Sequence, residues 1–186
     1  MSILVTICIP TYNRCDFLGR AIRSVINQSF DRNKYEIIVV DDGSSDRTDL
    51  ILKTFEKDIK IIKNNKKLGL SKSLNKAILK ANGKYFLRLD SDDYVNEEYV
   101  NFLYMTIDQN KELFNAVKCD YYEVNDREVI IKRCDSEKKP IGCGIIFKID
   151  DLIKIGLYSG NKKIFEDIDL MDRLTRNGNY NIFRLP

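Results

Sequence analysis

Apolar and polar positions follow two rhythms along this chain. Residues 3–9, "ILVTICI", are almost continuously apolar and β-branched, as a strand covered on both faces must be. Leu18, Ala21, Ile22, Val25 and Ile26 then recur at helical spacing, which predicts a helix with one buried stripe. "YEIIVV" (35–40) reads as a second strand that stops at "DDGSSD", and a helix follows from about Asp46 with Ile51, Leu52 and Phe55 inward. "IKIIK" (59–63) is a short strand. Leu70, Leu74, Ala77, Ile78 and Ala81 mark a helix closed by "NG" at 82–83. "KYFLRL" (84–89) is the fourth strand, and Tyr99, Phe102, Leu103 and Thr106 predict a helix beyond it.

Strand and helix thus alternate over the first 110 residues, the mark of βαβ units and a parallel sheet. The rhythm then changes. "AVKCDYYEVND" and "EVIIKRC" (about 116–134) predict a hairpin with "ND" in its turn. "GCGIIF" (142–147) predicts another strand, "DDLIKI" a short helix and "EDIDLMDRLTRNG" a longer one. The fold class is α/β: a mostly parallel central sheet flanked by helices, with a small antiparallel hairpin in the second half. No internal repeat or low-complexity linker interrupts it, so residues 1–186 read as one domain, with about 1–110 as a nucleotide-type half and about 111–186 as an irregular second half.

Composition narrows the chemistry. The chain has no histidine, which removes Ser-His and Cys-His nucleophile systems and histidine metal sites, and leaves acid–base and metal work mainly to Asp and Glu. Five scattered cysteines, odd in number and without a CxxC pair, fit free thiols and a reducing cytoplasm. A net charge of +3 is too small to argue for a nucleic-acid partner. No stretch approaches the roughly 18 uninterrupted apolar residues of a membrane span. "MSILVTICIP" lacks the basic flank and cleavage site of a signal peptide.

Parallel strands deliver their carboxyl ends to one edge, where ligands of open α/β sheets collect. Three strands end there in polar clusters: "PTYN" (10–13), "DDGSSD" (41–46) and "DSDD" (90–93). The first also reads as a plain strand-to-helix turn, the second as a helix N-cap, and Asp93 as the start of the next helix. Asp90 and Asp92 are harder to explain structurally. Residues two apart in an extended chain point the same way, and carboxylates about 4–5 Å apart in low dielectric repel by several kcal/mol unless compensated. Hard oxygen ligands favour Mg²⁺ or Mn²⁺, which complete their shells with water and substrate phosphates. Asp90 and Asp92 therefore predict a divalent cation that holds a diphosphate.

"VTICIPTYNR", "EIIVVDDGSSD", "KKLGLSKSLNKAI", "ANGKYFLRLDSDDY" and "FEDIDLMDRL" together resemble the family-2 glycosyltransferases, inverting enzymes with a single A-type nucleotide-diphospho-sugar transferase fold. The resemblance runs from about residue 3 to about 184. It implies a nucleotide-sugar donor, with a UDP-sugar favoured, and a glycan or lipid-linked acceptor, with the second half carrying acceptor and catalytic groups. It also implies a nucleotide site of Pro10, Thr11, Tyr12, Asn13, Asp41, Asp42, Gly69, Asp90 and Ser91. There Tyr12 would stack on the base and Asp41 would accept a base N–H. Asp92 would be the direct ligand of a Mn²⁺ or Mg²⁺ ion, with Asp90 near it. Asp167 would be the general base and Glu166 its neighbour.

The residues themselves bear on that last pair. On the helix near 166, Asp169–Arg173 and Asp172–Arg176 are i, i+4 pairs. Glu166 and Asp167 have no such partner. They occupy the first turn, where the helix dipole favours negative charge and a plain N-terminal capping role is the alternative reading. Asp167 also shares the face of Leu170, Met171 and Leu174, which points it inward.

The chain departs from its relatives in places. It lacks the histidine that often completes their metal site, so a truncated C-terminus is left open. Leu74 stands where arginine often precedes the asparagine, here Asn75. Arg88 occupies a commonly apolar position, where it could offset acidic charge, touch phosphate or serve as a structural strand-edge arginine. Lys57, Lys60, Lys63, Lys66 and Lys67 suit peripheral contact with an anionic membrane face carrying a lipid-linked acceptor, and equally a solvated loop. Gly142 and Gly144 would allow close backbone approach under the sugar, or mark a bulged strand, and Cys143 between them is read as packing. The alternative function is a nucleotide-sugar-binding module with little or no transfer. A nucleotidyltransferase is disfavoured, because "PTYNRCDF" offers no glycine-rich basic phosphate loop.

Overall fold

The computed structural model describes residues 2–160, 165–176 and 178–186. In chain order these form β1 (Val5–Thr11), α1 (Cys15–Ile26), β2 (Tyr35–Asp41), α2 (Thr48–Thr54), β3 (Lys60–Lys63), α3 (Leu70–Lys80), β4 (Tyr85–Arg88) and α4 (Tyr99–Gln109). There follow β5 (Ala116–Cys119), β6 (Tyr121–Val124), β7 (Ile130–Cys134), β8 (Ile145–Lys148), α5 (Ile149–Lys154), α6 (Glu166–Thr175) and β9 (Ile182–Leu185). The main sheet has the order β3-β2-β1-β4-β8-β5-β9. Only β8 runs against its neighbours, and β6 pairs with β7 in a separate two-stranded sheet.

Strand parity sorts the core into two layers. Ile7, Ile9, Ile37, Val39, Tyr85 and Leu87 face α1, α2 and α4 through Leu18, Ile22, Leu52, Val100 and Leu103. The intervening Cys8, Ile38, Val40 and Phe86 face α3, α5 and α6 through Leu74, Ile78, Leu152, Leu170 and Leu174. Burial on both sides is why β1, β2 and β4 are apolar at nearly every position. The lone polar insertion in β4, Arg88, shares the parity of Phe86 and so lies on the α3–α6 side.

The elements differ from the sequence reading in three places. In α4 the buried stripe is Val100, Leu103 and Ile107, while Phe102 is exposed. Of the expected stripe of Tyr99, Phe102, Leu103 and Thr106, Leu103 is buried and Tyr99 packs against the core, while Phe102 turns outward and Val100 and Ile107 complete the stripe. The first strand of the expected hairpin is two strands, because the chain breaks at Asp120. That carboxylate accepts hydrogen bonds from Arg184 and from the Ser136 N–H, and pairs with Arg133. Cys119 stays in the main sheet and Tyr121 leaves it. The third difference is β9, which the sequence reading missed: "NIFRLP" completes the sheet edge beside β5. Its partner lies more than sixty residues earlier, beyond the reach of local pattern.

Two glycines let loops close on the sheet. A Cβ on Gly83 would fall 2.6 Å from the Thr6 nitrogen, and one on Gly43 would fall 2.7 Å from the Lys66 carbonyl carbon. Gly43 also has φ +80°, which a side chain resists. Gly43→Ala is expected to lower stability by about 1–3 kcal/mol, read as a reduced urea midpoint with an unchanged m-value. Wild-type stability would show that the 43–66 approach is loose.

Candidate active site

The carboxyl ends of β1 and β2 lie in register, Thr11 beside Asp41, and side chains stitch the loops that follow. Asn13 sits at φ 52°. Its N–H donates to the Ser44 hydroxyl at 3.0 Å, and its side-chain oxygen accepts from the Ser45 N–H at 2.8 Å. Asp46 accepts from the Cys15 N–H, and one oxygen of Asp41 accepts from the Ser44 N–H at 2.9 Å. Both oxygens of Asp42 are used: one takes the Asn64 amide and the Leu68 N–H, the other the Gly69 N–H. Burial by itself would raise the Asp42 pKa. The bonds from Leu68, Asn64 and Gly69 outweigh it and hold the carboxyl below its ordinary range. Asp42 is thus the post to which the 64–69 loop is tied, and Gly69, at φ +94°, turns that loop into α3. Pro10 and Thr11 are buried, and the Thr11 hydroxyl has no hydrogen-bond partner among the described residues. The Tyr12 ring has the Lys67 ammonium over it, 3.9 Å from its centroid.

Beyond β4 the chain turns instead of staying extended: the Asp93 N–H donates to the Asp90 carbonyl at 3.0 Å. Asp90 and Asp92 therefore do not face one spot. Asp90 points inward to Arg88. Asp92 is exposed, its carboxylate 3.5 Å from the equally exposed Arg14 and its carbonyl accepting from Arg20. The carboxyl group that meets Asp90 is that of Asp93, and together with the Cys143 sulfur their ligand atoms lie within 4.8 Å of one another. Desolvation and the Asp90 charge push the Asp93 pKa up. Burial, Asp90 and Asp93 push up that of the Cys143 thiol, which donates to Asp93 at 3.4 Å. A thiol so held stays protonated and is a poor metal ligand. The remaining donors are hard carboxylate oxygens, the set that fits Mg²⁺ or Mn²⁺. Ser91, next in the chain after Asp90, is buried.

Arg88 joins this loop to the second half. It is not at a strand edge: β4 is central, and Arg88 is only 7% exposed. Its Nε and Nη2 bind the two oxygens of Asp90 at 2.6 and 3.1 Å, and its Nη1 binds Glu166 at 2.9 Å. Burial works against the charge, and Asp90 more than restores it, so the guanidinium stays protonated. Asp167, next along α6, accepts no hydrogen bond among the described residues and faces Gly142. It borders a largely apolar cavity of about 310 Å³ whose wall includes Cys119, Ile141, Cys143, Ile168 and Met171. Farther down α6, Asp169–Arg173 and Asp172–Arg176 pair as the spacing predicts. Leu74 is fully buried core, and Asn75 exchanges two 2.9 Å bonds with the backbone of Tyr158.

The sequence reading allowed that Arg88 could offset acidic charge, as its pairing with Asp90 does, but missed its link to Glu166 and the anchoring roles of Asn64 and Asn75. Only Arg88 carried a signal, a lone charge inside an apolar strand. Of the five lysines, Lys60 is bound to Glu36 and Lys67 lies on Tyr12.

A mostly parallel sheet that gathers a stitched turn, an acidic loop and an acidic helix N-terminus at one edge defines the A-type glycosyltransferase arrangement. The chain belongs to glycosyl transferase family 2, whose model matches residues 6–168. A poly(ribitol-phosphate) beta-glucosyltransferase of Bacillus spizizenii is 31% identical over 170 residues, covering 87% of this chain and 26% of that protein. An uncharacterized glycosyltransferase of Haemophilus influenzae is 34% identical over 59% of this chain and 34% of its own length. Among solved structures, S. aureus TarS 1-349 in complex with UDP-GlcNAc superposes with a TM-score of 0.84 at 24% identity, over 98% of this chain and 56% of that one. A Pyrobaculum calidifontis mannosyltransferase in complex with GDP-Man and Mn²⁺ gives 0.77 at 19% identity, over 100% and 55%. This chain therefore spans under two-thirds of these relatives. Among the described residues, no helix is long and apolar enough to cross a membrane.

The depressed Asp42 pKa carries a sign. Its stabilisation is complete at neutral pH and is lost as pH falls below about 4, through the folded-state value. Asp42→Asn is expected to cost about 1–3 kcal/mol at pH 7 by mismatching the Leu68 and Gly69 donors. It should also flatten the acid limb of stability measured by urea unfolding from pH 7 to 3. An acid limb as steep in the variant as in wild type would place the titrating group elsewhere.

Proposed function

We propose that this domain transfers a sugar, with inversion, from a nucleotide-diphosphate sugar to a hydroxyl of a glycan or lipid-linked acceptor, assisted by Mn²⁺ or Mg²⁺. The observation that carries the reading is the Arg88 bridge, which puts the end of β4 and the first turn of α6 in one hydrogen-bonded cluster. Donor and base groups are then neighbours. The relatives that bind UDP-GlcNAc or GDP-Man lend support through shared fold, and a uridine nucleotide is favoured.

In this reading Pro10, Thr11 and Asn13 shape the base pocket and Tyr12 stacks on the base once Lys67 moves off its ring. Asp41 uses its second oxygen to accept a base N–H, while Asp42 and Gly69 hold the loop behind it. Asp90 and Ser91 line the ribose and diphosphate side. Asp90 and Asp93, whose carboxyl groups meet, would hold the cation, with Asp92 turning in to join them. The Asp92 contact with Arg14 is long and solvent-exposed, hence weak, so the carboxylate is free to turn. The ion, when bound, supplies charge stabilisation for the leaving diphosphate.

Asp167 accepts the acceptor hydroxyl proton as that oxygen attacks the anomeric carbon from the side opposite the diphosphate. An alcohol is far too weak an acid for prior removal by a carboxylate of pKa about 3.9. Transfer of the proton therefore accompanies bond formation. Glu166, held by Arg88, stands beside it and does not act as the base. The cavity next to Asp167 receives the acceptor.

A thermal-shift panel of UDP, GDP and TDP with and without Mn²⁺ tests base preference and metal use together. Asp92→Ala is expected to remove the Mn²⁺-dependent part of the nucleotide shift. Asp167→Asn should keep that shift and lose about 10²–10⁴-fold in transfer. Loss of binding and transfer together in both variants, with the fold intact, would refute this division of roles.

A further inference from the structure

We propose that Arg88 is a positioning residue for the transfer step: its guanidinium pins the first turn of α6 to the carboxyl end of β4 and so sets where the Asp167 carboxylate stands. The catalytic consequence rests on the function proposed above. The pin itself does not.

Three observations carry the inference. The guanidinium uses all three of its nitrogens on two partners that are 76 positions apart in the chain, Asp90 and Glu166. Its orientation is fixed by its surroundings, since a Cβ on Gly142 would fall 2.5 Å from Nη1 and 3.1 Å from the nearer Asp167 oxygen. Gly142 thus lets Arg88 and Asp167 crowd one spot with the backbone between them. Lastly, the Arg88–Glu166 pair joins the last residue of β4 directly to the first residue of α6. The residue before α6, Phe165, sits at φ 64° and makes no side-chain cap. A second polar anchor, Arg173, pairs with Asp169 and donates to the Ile155 and Leu157 carbonyls just beyond α5, on a different side from β4.

A simpler role would be neutralisation of buried carboxylates, and geometry separates the two. Lysine supplies the same charge but not the planar fork that reaches both partners. Arg88→Lys therefore keeps the compensation and loses the pin. Its ammonium stays on Asp90, two residues on in the chain, and Glu166 is released.

Hydrogen exchange reads the pin without donor or acceptor. In Arg88→Lys the Asp169–Met171 amides are expected to exchange about tenfold faster, while those of the turn anchored by Arg173 keep wild-type protection. In transfer assays the same variant should lose about 10²-fold in kcat, as a misplaced reacting group does, with the donor KM within about threefold of wild type. Glu166→Gln should reproduce the kcat loss in part, and adding it to Arg88→Lys should cost little more, because both substitutions break one link. Unchanged exchange at Asp169–Met171, a wild-type kcat in Arg88→Lys, or independent, multiplying losses in the double variant would each overturn the proposal. Faster exchange in a protein whose wild type transfers from no donor would leave the pin standing and remove the transferase reading instead.

Discussion

Carboxylates placed at the carboxyl edge of a buried parallel sheet need compensation, and the site is organised around how each obtains it. Asp90 and Glu166 obtain it from one guanidinium, Arg88, which is itself buried. Taking such charges out of water costs several kcal/mol per ion, and only good geometry with further hydrogen bonds offsets that cost. Bidentate contact with Asp90 supplies the geometry. Strand parity supplies the address: an arginine two residues after Phe86 must lie on the α3–α6 face, where Glu166 waits.

A second constraint is the bonding of loop N–H groups to side-chain oxygens, with no ion pair needed. Asp42 holds the 64–69 loop by its N–H groups, and Asn13, Ser44, Ser45 and Asp46 hold the β1 and β2 turns together. Glycine at 43 is required where that loop passes. The β1–β2 end of the site is thus preorganised by backbone donors, while the β4–α6 end is organised by charge. Asp92 and Arg14, half in solvent, form the softer part of the assembly.

Much of the first half was legible from local pattern. Continuous apolar strands and single-stripe helices identify βαβ units, because burial on one or both faces leaves a periodic record in the residues. The clusters at 10–13, 41–46 and 90–93 were legible for the same reason: they interrupt that record at strand ends. The stripe of α4 was right at Leu103 but took Phe102 where Val100 and Ile107 are buried, since neighbouring apolar residues compete for one face. The break at Asp120 was invisible, because it depends on Arg184, sixty-four residues away.

What the chain determined by itself is the family, the order of strands and helices in its first half, and the acidic character of its chemistry in the absence of histidine. What only the tertiary structure decided is which acids meet. An extended reading paired Asp90 with Asp92, and the turn at Asp93 sent them to different arginines. Glu166 had no partner within helical reach, and folding brought one from seventy-eight positions earlier. Periodicity encodes which face of an element is buried. It carries no information on which distant charge will lie across from it, since that depends on the packing of whole layers.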